Sequence, residues 1–163
     1  MTTPEDKTPT VPRDPAFGRT GQTLMIVEDE ALVAMVLRNE LEDAGYHVVD
    51  LTDRHAAALE VAKACKPDLA LVNIRLAGGD DGIELAENLK ALGIPVLLIS
   101  GKTSRARSAQ TVAIGSLPKP YDAAHMVLAV TYLLARLNGD ASLTKPSGLE
   151  VFDEHGFDLA PAA

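Results

Sequence analysis

Short apolar runs alternate along this chain with longer segments in which apolar residues recur every three or four positions. Short unbroken apolar runs are typical of buried strands, and the longer spacing is typical of one face of a helix. Five strand and helix units of this kind follow one another from residue 23. The alternation predicts an α/β domain with one doubly wound sheet of five parallel strands.

The expected elements have clear boundaries in most units. The strands are predicted at residues 24–27, 46–51, 69–72, 96–99 and 114–117. Helices are predicted at residues 30–44, 53–66, 83–92 and 122–137, the second capped by Thr52 or Asp53. In the first helix an apolar face is formed by residues that recur at helical spacing: Val33, Val36, Leu37, Leu41 and Ala44. In the last helix the residues expected to point inward are Met126, Val127, Val130, Leu133 and Leu134. Residues 101–113 have a thin apolar face, so we expect mobility there.

Both ends of the chain differ from this middle part. Residues 1–22 are rich in proline and polar side chains, which predicts a flexible arm before a folded domain at residues 23–137. Residues 138–163 show no convincing period and are expected to be a flexible or docking tail, with the unstructured alternative favoured. Apolar residues that could dock it include Leu149, Val151 and Phe152.

Composition narrows the classes of function. The chain has 163 residues, 47% hydrophobic and 23% charged, as expected for one soluble domain. A net charge of −8 argues against nucleic-acid binding, which needs clustered basic residues. No apolar run is long enough for a membrane span and no secretory signal is visible, so a cytoplasmic location is expected. The lone cysteine, Cys65, is predicted to be a buried thiol.

Polar residues follow four of the five predicted strands. Ligands of parallel sheets bind beyond the carboxyl ends of the strands, so these residues should converge. Paired carboxylates suit Mg²⁺, which prefers oxygen ligands, while a lysine and a hydroxyl group would contact phosphoryl oxygens. The pattern predicts a phosphoryl-transfer site. Its residues, in chain order, are Glu28 and Asp29, Asn73, Ser100 and Lys119.

Five short motifs carry a family resemblance. They lie at residues 26–30, 68–74, 81–85, 98–101 and 117–121. Their order and spacing resemble the receiver domain of response regulators in two-component signalling, over roughly residues 23–137. The resemblance implies a flavodoxin-like (βα)5 fold that takes a phosphoryl group from a phosphohistidine with the help of Mg²⁺. The donor would be a sensor histidine kinase or a histidine phosphotransfer protein.

The resemblance also implies a role for each site residue. Glu28, Asp29, the Asn73 position and the backbone carbonyl of Arg75 would hold the metal. Asn73 stands at the phosphoacceptor position, Ser100 would be the switch hydroxyl, and Lys119 would be the lysine of the family.

Two positions depart from the family pattern. The family acceptor is an aspartate, whose carboxylate is the nucleophile, whereas the neutral carboxamide of Asn73 cannot form an acyl phosphate. We therefore expect no phosphorylation at Asn73, and weaker Mg²⁺ binding because a carboxylate charge is lost. Ser116 occupies the position where the family usually has an aromatic switch residue. We therefore expect the usual coupling between the switch hydroxyl of Ser100 and an aromatic ring to be disturbed.

Three interpretations remain open from the sequence. The first is a phosphorelay receiver whose acceptor has been replaced, and the second is a natural pseudo-receiver that acts as a phosphate-independent interaction module. The third is a flavodoxin-like cofactor binder, which the acidic turn after the first strand disfavours because it repels phosphate. No enzymatic or DNA-binding output domain is recognised after Leu137, so we expect a stand-alone, non-enzymatic regulator. It would act on a downstream protein partner or form a homodimer through the last helix.

Overall fold

A six-stranded sheet with helices on both faces forms the core, as described by a computed structural model for residues 22–101 and 109–152. The strands are β1 (Thr23–Val27), β2 (His47–Thr52), β3 (Leu69–Asn73), β4 (Val96–Ser100), β5 (Gly115–Pro118) and β6 (Glu150–Val151). The helices are α1 (Ala31–Asp43), α2 (His55–Cys65), α3 (Gly82–Ala91) and α4 (Ala123–Leu137). Among these helices none is long and apolar enough to cross a membrane.

The central strands are buried on both faces, which explains their unbroken apolar sequences. In β1, Leu24 and Ile26 pack in the layer of α1 and α4, whereas Met25 and Val27 pack in the layer of α2 and α3. Successive side chains of a strand point to opposite faces, so every residue of such a run has an apolar layer to enter. The two layers hold the sheet between the helices.

The strand order is β2-β1-β3-β4-β5-β6, and β1 to β5 are parallel. The chain leaves β1 for β2 at one edge and returns to β3 on the other side of β1. The order therefore reverses between β1 and β3, which is where open α/β sheets form ligand sites. The predicted doubly wound parallel sheet is confirmed, with one short strand added at its edge.

Most predicted elements are present with boundaries shifted by one or two residues. The inward residues of α4 are as expected, since Met126, Val130 and Leu133 have no exposed surface. Asp81 begins α3 and its side chain accepts from the Ile83 amide. The arm at residues 1–21, the mobility expected at 102–108 and the end of the tail at 153–163 lie outside the described residues.

Three local expectations are wrong. Val36 of α1 is 54% exposed rather than inward, because the side of the helix that meets the sheet carries Ala34, Leu37 and Leu41. Cys65, at the end of α2, is exposed. The first amide of α2 is capped by a residue distant in sequence, and not by Thr52 or Asp53 as expected.

The cap of α2 comes from the loop after β3. The His55 amide donates to the carboxylate of Asp80 at 3.0 Å, and Arg54 at the cap position makes no side-chain cap. The expected caps, Thr52 and Asp53, therefore do not begin this helix. The loop between β3 and α3 is thereby joined to the neighbouring unit.

The tail docks on the sheet as far as Phe152. Its strand β6 pairs antiparallel with β5, and Leu149 and Phe152 are 2% and 9% exposed. Leu149 enters the layer of α1 and α4, while Phe152 enters the opposite layer. Of the two alternatives for the tail, the docked one describes these residues. Pairing also removes an open sheet edge at β5.

A substitution at Gly115 tests whether the pairing of β6 with β5 depends on the close approach of their backbones. A Cβ atom at Gly115 would lie 2.6 Å from the backbone oxygen of Glu150, so Gly115→Ala should push β6 from the sheet. We expect the free energy of unfolding to fall by about 1–3 kcal/mol in chemical denaturation, the usual cost of overpacking. The Phe152 amide, which donates to the Ile114 carbonyl at 2.7 Å, should exchange hydrogen faster.

Gly101→Ala is the matched control, because no atom lies within 4 Å of a Cβ built there. It should leave both measurements close to wild type. Unchanged exchange at Phe152 in Gly115→Ala would contradict the close packing of β6 on β5.

Candidate functional site

The carboxyl ends of the parallel strands form one cavity of about 410 Å³. Val27 pairs with Val72, so the residues that follow β1 lie beside Asn73 at the end of β3. The ends of β4 and β5 complete the cavity. Its wall includes five of the six predicted site residues: Asp29, Asn73, Arg75, Ser100 and Lys119. The sixth, Glu28, lies beneath them and is 2% exposed.

Asn73 makes the central contacts of the site. Its side-chain nitrogen Nδ2 donates to Asp29 Oδ1 at 3.0 Å and to the backbone oxygen of Arg75 at 2.7 Å. Asn73 itself is 5% exposed, whereas Asp29 and Arg75 are exposed residues, so the two hydrogen bonds are partly buried. The carboxamide therefore joins the end of β1 to the turn that follows β3.

Glu28 is a buried carboxyl group. In the part of the chain that is described, neither of its oxygens has a hydrogen-bond partner, and the closest cation is Lys119 Nζ at 3.9 Å. Burial raises the pKa of Glu28 to about 7, against the lowering effect of Lys119 and with a further increase from Asp29. The protonated form of Glu28 is therefore favoured to a higher pH than that of an exposed carboxyl group.

Lys119 and Tyr121 lie on the other side of Glu28. The Lys119 backbone amide donates to the Ser100 carbonyl at 2.8 Å, which places its ammonium group above the buried carboxyl. The Tyr121 hydroxyl is buried, and it has no hydrogen-bond partner among the described residues. Burial, with the nearby charges of Glu28 and Glu30, raises the pKa of Tyr121 to about 12. The tyrosine therefore stays neutral beside the acids.

Gly82 fixes the backbone of the acceptor position from below. A Cβ atom there would lie 2.1 Å from the Asn73 backbone oxygen, so only glycine allows α3 to begin at this distance. The Gly82 amide also donates to the Ile74 carbonyl at 2.7 Å, and Arg75 forms an isolated bridge with Asp81. Asn73 therefore has little freedom to move.

The hydroxyl position and the switch position are both buried. Ser100 and Ser116 are each 5% exposed, and Ser116 lies in β5 between Leu98 of β4 and Glu150 of β6. A small polar side chain fills the position that the resemblance assigns to an aromatic ring. The sheet edge there is covered by the tail instead.

The site has an acidic character that could attract a divalent cation. Glu28, Asp29 and Glu30 have ligand atoms within 4.8 Å of one another. However, Asn73 directs N–H groups at Asp29 and at the Arg75 carbonyl, and an N–H group cannot ligate a metal. Two of the four expected ligand groups, the Asp29 carboxylate and the Arg75 carbonyl, therefore already accept hydrogen bonds. A third, the Asn73 carboxamide, directs its nitrogen rather than its oxygen toward them. In this arrangement the residues do not fit Mg²⁺.

Sequence reasoning missed three residues of the site. Glu30 adds a third carboxylate, which its place in the acidic run could have suggested. Tyr121 follows the expected lysine by two positions but carries no spacing signal that points to Glu28. Gly82 was recognised only as part of a motif, because close backbone approach becomes visible only in three dimensions.

Comparison with known proteins agrees with this geometry. A family model described as response regulator receiver domain matches residues 24–131. Among curated proteins, the uncharacterized transcriptional regulatory protein YbdJ of Bacillus subtilis is 31% identical over 118 residues, covering 70% of this chain and 51% of that protein. The transcriptional regulatory protein PdtaR of Mycobacterium tuberculosis is 29% identical over 132 residues, covering 78% of this chain and 62% of that protein.

The chain thus spans between half and two thirds of the length of these relatives. A similar solved structure is the signal receiver domain of a modulated diguanylate cyclase from Desulfovibrio desulfuricans. It has 36% sequence identity and a TM-score of 0.58, and the match covers 67% of this chain and 91% of that one.

The buried carboxyl group predicts a pH dependence of stability. The pKa of Glu28 rises from the usual 4.5 to about 7 on folding, so the folded state holds this proton more tightly than the unfolded chain. The free energy of unfolding contributed by Glu28 is therefore full below pH 4.5 and lost as the pH rises to about 7. At about 1.4 kcal/mol per pKa unit, the loss is on the order of 3 kcal/mol.

Glu28→Gln removes this titration and keeps the shape of the side chain. Relative to wild type, the variant should gain stability steadily between pH 4.5 and 7, measured by chemical denaturation in the presence of a chelator. Parallel curves for the two proteins over this range would contradict a buried Glu28 with a raised pKa.

Proposed function

This chain belongs to the response regulator receiver domain family, and on that premise we propose that it signals through protein contacts without forming an acyl phosphate at Asn73. The observation that carries the proposal is the state of the acceptor position. Asn73 presents a carboxamide instead of a carboxylate, its nitrogen lone pair is delocalised into the carbonyl, and its two N–H groups donate to Asp29 and the Arg75 carbonyl. Its delocalised amide is a poor nucleophile even when unbonded.

The remaining site residues favour one alternative. Asp29, Ser100 and Lys119 line the same cavity as Asn73, which is the arrangement that phosphoryl transfer to an aspartate would require. The second candidate is therefore a phosphorelay receiver whose acceptor has been replaced by asparagine. Restoring aspartate at position 73 would then restore acceptance of a phosphoryl group, with Mg²⁺ supplying charge neutralisation when bound.

A cofactor-binding flavodoxin-like function has less support. The turn after β1 carries Glu28, Asp29 and Glu30, and carboxylates repel a cofactor phosphate. Phosphate-binding turns of this architecture expose backbone amides to the ligand instead.

An apolar groove beside the site is the partner surface we propose. It has a volume of about 460 Å³ and lies between α1 and the loop from Lys119 to Ala123. Leu32 and Val36 line the groove and are 79% and 54% exposed. Neighbouring apolar side chains of this size in contact with water are unusual and indicate an interaction surface. An apolar groove of this kind fits the apolar face of a helix.

The groove also shares residues with the site. Glu30 and Lys119 line both cavities, so a protein bound in the groove reaches the mouth of the phosphoryl site. Receiver domains interact with histidine kinases or phosphotransfer proteins, which must approach this mouth. We propose that such a protein binds in the groove. Because Asn73 does not accept a phosphoryl group, the bound protein keeps the phosphoryl group that it carries.

The last helix is a weaker candidate for association. Along α4 the one large hydrophobic side chain that stands exposed is Leu128, at 57%. The tail also contacts this helix, where His125 Nε2 forms a hydrogen bond with the Ser147 carbonyl. A homodimer through α4 would have to form around Leu128, which offers less apolar surface than the groove.

Acetyl phosphate tests the chemistry at position 73 without any partner protein. Wild type and Asn73→Asp are incubated with acetyl phosphate and Mg²⁺, and the intact masses are measured. We expect one phosphoryl adduct on Asn73→Asp and none on wild type, since only the carboxylate is a competent nucleophile. An adduct on wild type that maps to residue 73 would overturn the proposal, and an adduct on neither protein would overturn the second candidate.

Val36 and Leu128 offer a matched pair for the partner surface, since they are exposed to a similar degree and Leu128 lies outside the groove. The probes are purified histidine phosphotransfer domains and kinase dimerisation domains encoded in the source genome. For any domain that binds wild type, calorimetry should show Val36→Asp weakening the binding at least tenfold and Leu128→Asp changing it less than twofold. A larger loss for Leu128→Asp would place the partner on α4 instead.

A further inference from the structure

We propose that the Asn73 carboxamide replaces the divalent cation of this site, holding Asp29 and the Arg75 carbonyl together through hydrogen bonds. The inference rests on the proposed function, because a site that forms no acyl phosphate has no need of a metal for phosphoryl transfer. It goes further in stating what keeps the acidic pocket in shape.

The orientation of the carboxamide follows from its neighbours. Asp29 Oδ1 and the Arg75 backbone oxygen are both acceptors, so the group between them must donate. Only the nitrogen end of the amide has hydrogens, and it has two of them, one for each oxygen. With the amide turned over, three oxygens would meet at about 3 Å without a proton or a cation between them.

The contrast with aspartate gives the physical reason. A carboxylate at position 73 has no proton to share near neutral pH, so its oxygens would repel Asp29 and the Arg75 carbonyl at these distances. Such a cluster of oxygens is stabilised by a cation. The asparagine nitrogen satisfies the same two oxygens without one, and its bond to the Asp29 carboxylate is of the stronger, charge-assisted kind.

The surroundings make the bridge rigid. Asn73 is 5% exposed, and Gly82 packs closely against its backbone oxygen. This packing prevents the Asn73 backbone from moving away from Asp29 and Arg75. The bond to the Arg75 carbonyl closes the turn after β3, while the bond to Asp29 ties that turn to β1. The side chain therefore holds together the two segments, the end of β1 and the turn after β3, that a bound metal would otherwise hold.

Two explanations of the weak Mg²⁺ binding that we expect at this site can be separated by one substitution. If loss of charge alone weakens binding, Asn73→Ala should bind Mg²⁺ as weakly as wild type, because both side chains are neutral. If the carboxamide occupies the ligands, Asn73→Ala frees Asp29 and the Arg75 carbonyl and should bind more tightly than wild type. The same substitution should lower thermal stability, because it breaks two partly buried hydrogen bonds.

The experiment titrates Mg²⁺ into wild type, Asn73→Ala and Asn73→Asp, following backbone amide shifts of the site residues, with melting temperatures in Mg²⁺ and in chelator. We expect Asn73→Asp to bind at least a hundredfold more tightly than wild type and Asn73→Ala at least threefold more tightly. The melting temperature of wild type should be the same in Mg²⁺ and in chelator. Asn88→Ala, an exposed asparagine on α3, controls for loss of an amide elsewhere and should match wild type.

Equal Mg²⁺ affinities for wild type and Asn73→Ala would overturn the inference. If Asn73→Ala does not fold, Asn73→Ser takes its place with the same expected gain over wild type, because its single hydroxyl group cannot bridge both oxygens. A wild type stabilised by Mg²⁺ as strongly as Asn73→Asp would also overturn the inference. Such binding without a phosphoryl adduct on wild type would leave the proposed function intact. An adduct on wild type would remove the proposed function instead.

Discussion

The candidate site of this protein depends on the parallel pairing of β1 with β3. This pairing brings the acidic residues after β1 against the side chain that ends β3, and the reversal of strand order at this point leaves the cleft open to ligands. Ser100 and Lys119 reach the same cleft because β4 and β5 continue the sheet in register. The chemistry of the cleft then depends on one group, the carboxamide of Asn73.

The charge balance of the cleft explains why a neutral group is tolerated there. Glu28 is buried with its pKa raised to about 7, and Lys119 is the nearby cation that partly offsets its charge. A second buried carboxylate at position 73 would add to the repulsion unless a cation neutralised it. With asparagine, the acidic cluster is balanced by hydrogen-bond donors and one lysine, and the pocket can persist without an ion. Such a pocket supports the proposal that the protein signals through contacts that do not depend on phosphorylation.

Much of the fold could be predicted because strands buried on both faces have a distinctive sequence. The runs that became β1, β3 and β4 are unbroken in apolar residues, and their polar ends marked the site. The exposure of Val36 could not be predicted, because the spacing of apolar residues along α1 does not show how wide the face is that packs against the sheet. The cap from Asp80 and the docking of Leu149 and Phe152 join segments distant in sequence, so no local pattern reveals them. Asparagine at position 73 was visible, but its two hydrogen bonds depend on distances that only the folded chain defines.

The central claim is that an amide nitrogen occupies the space between Asp29 and the Arg75 carbonyl. A high-resolution crystal structure of the protein, grown in a large excess of Mg²⁺, tests it most directly. We predict that Asn73 Nδ2 lies within hydrogen-bond distance of both oxygens and that no octahedral density is present among the acidic residues. A cation with its waters bound to Asp29 and the Arg75 carbonyl, and Asn73 turned to present its oxygen, would contradict it.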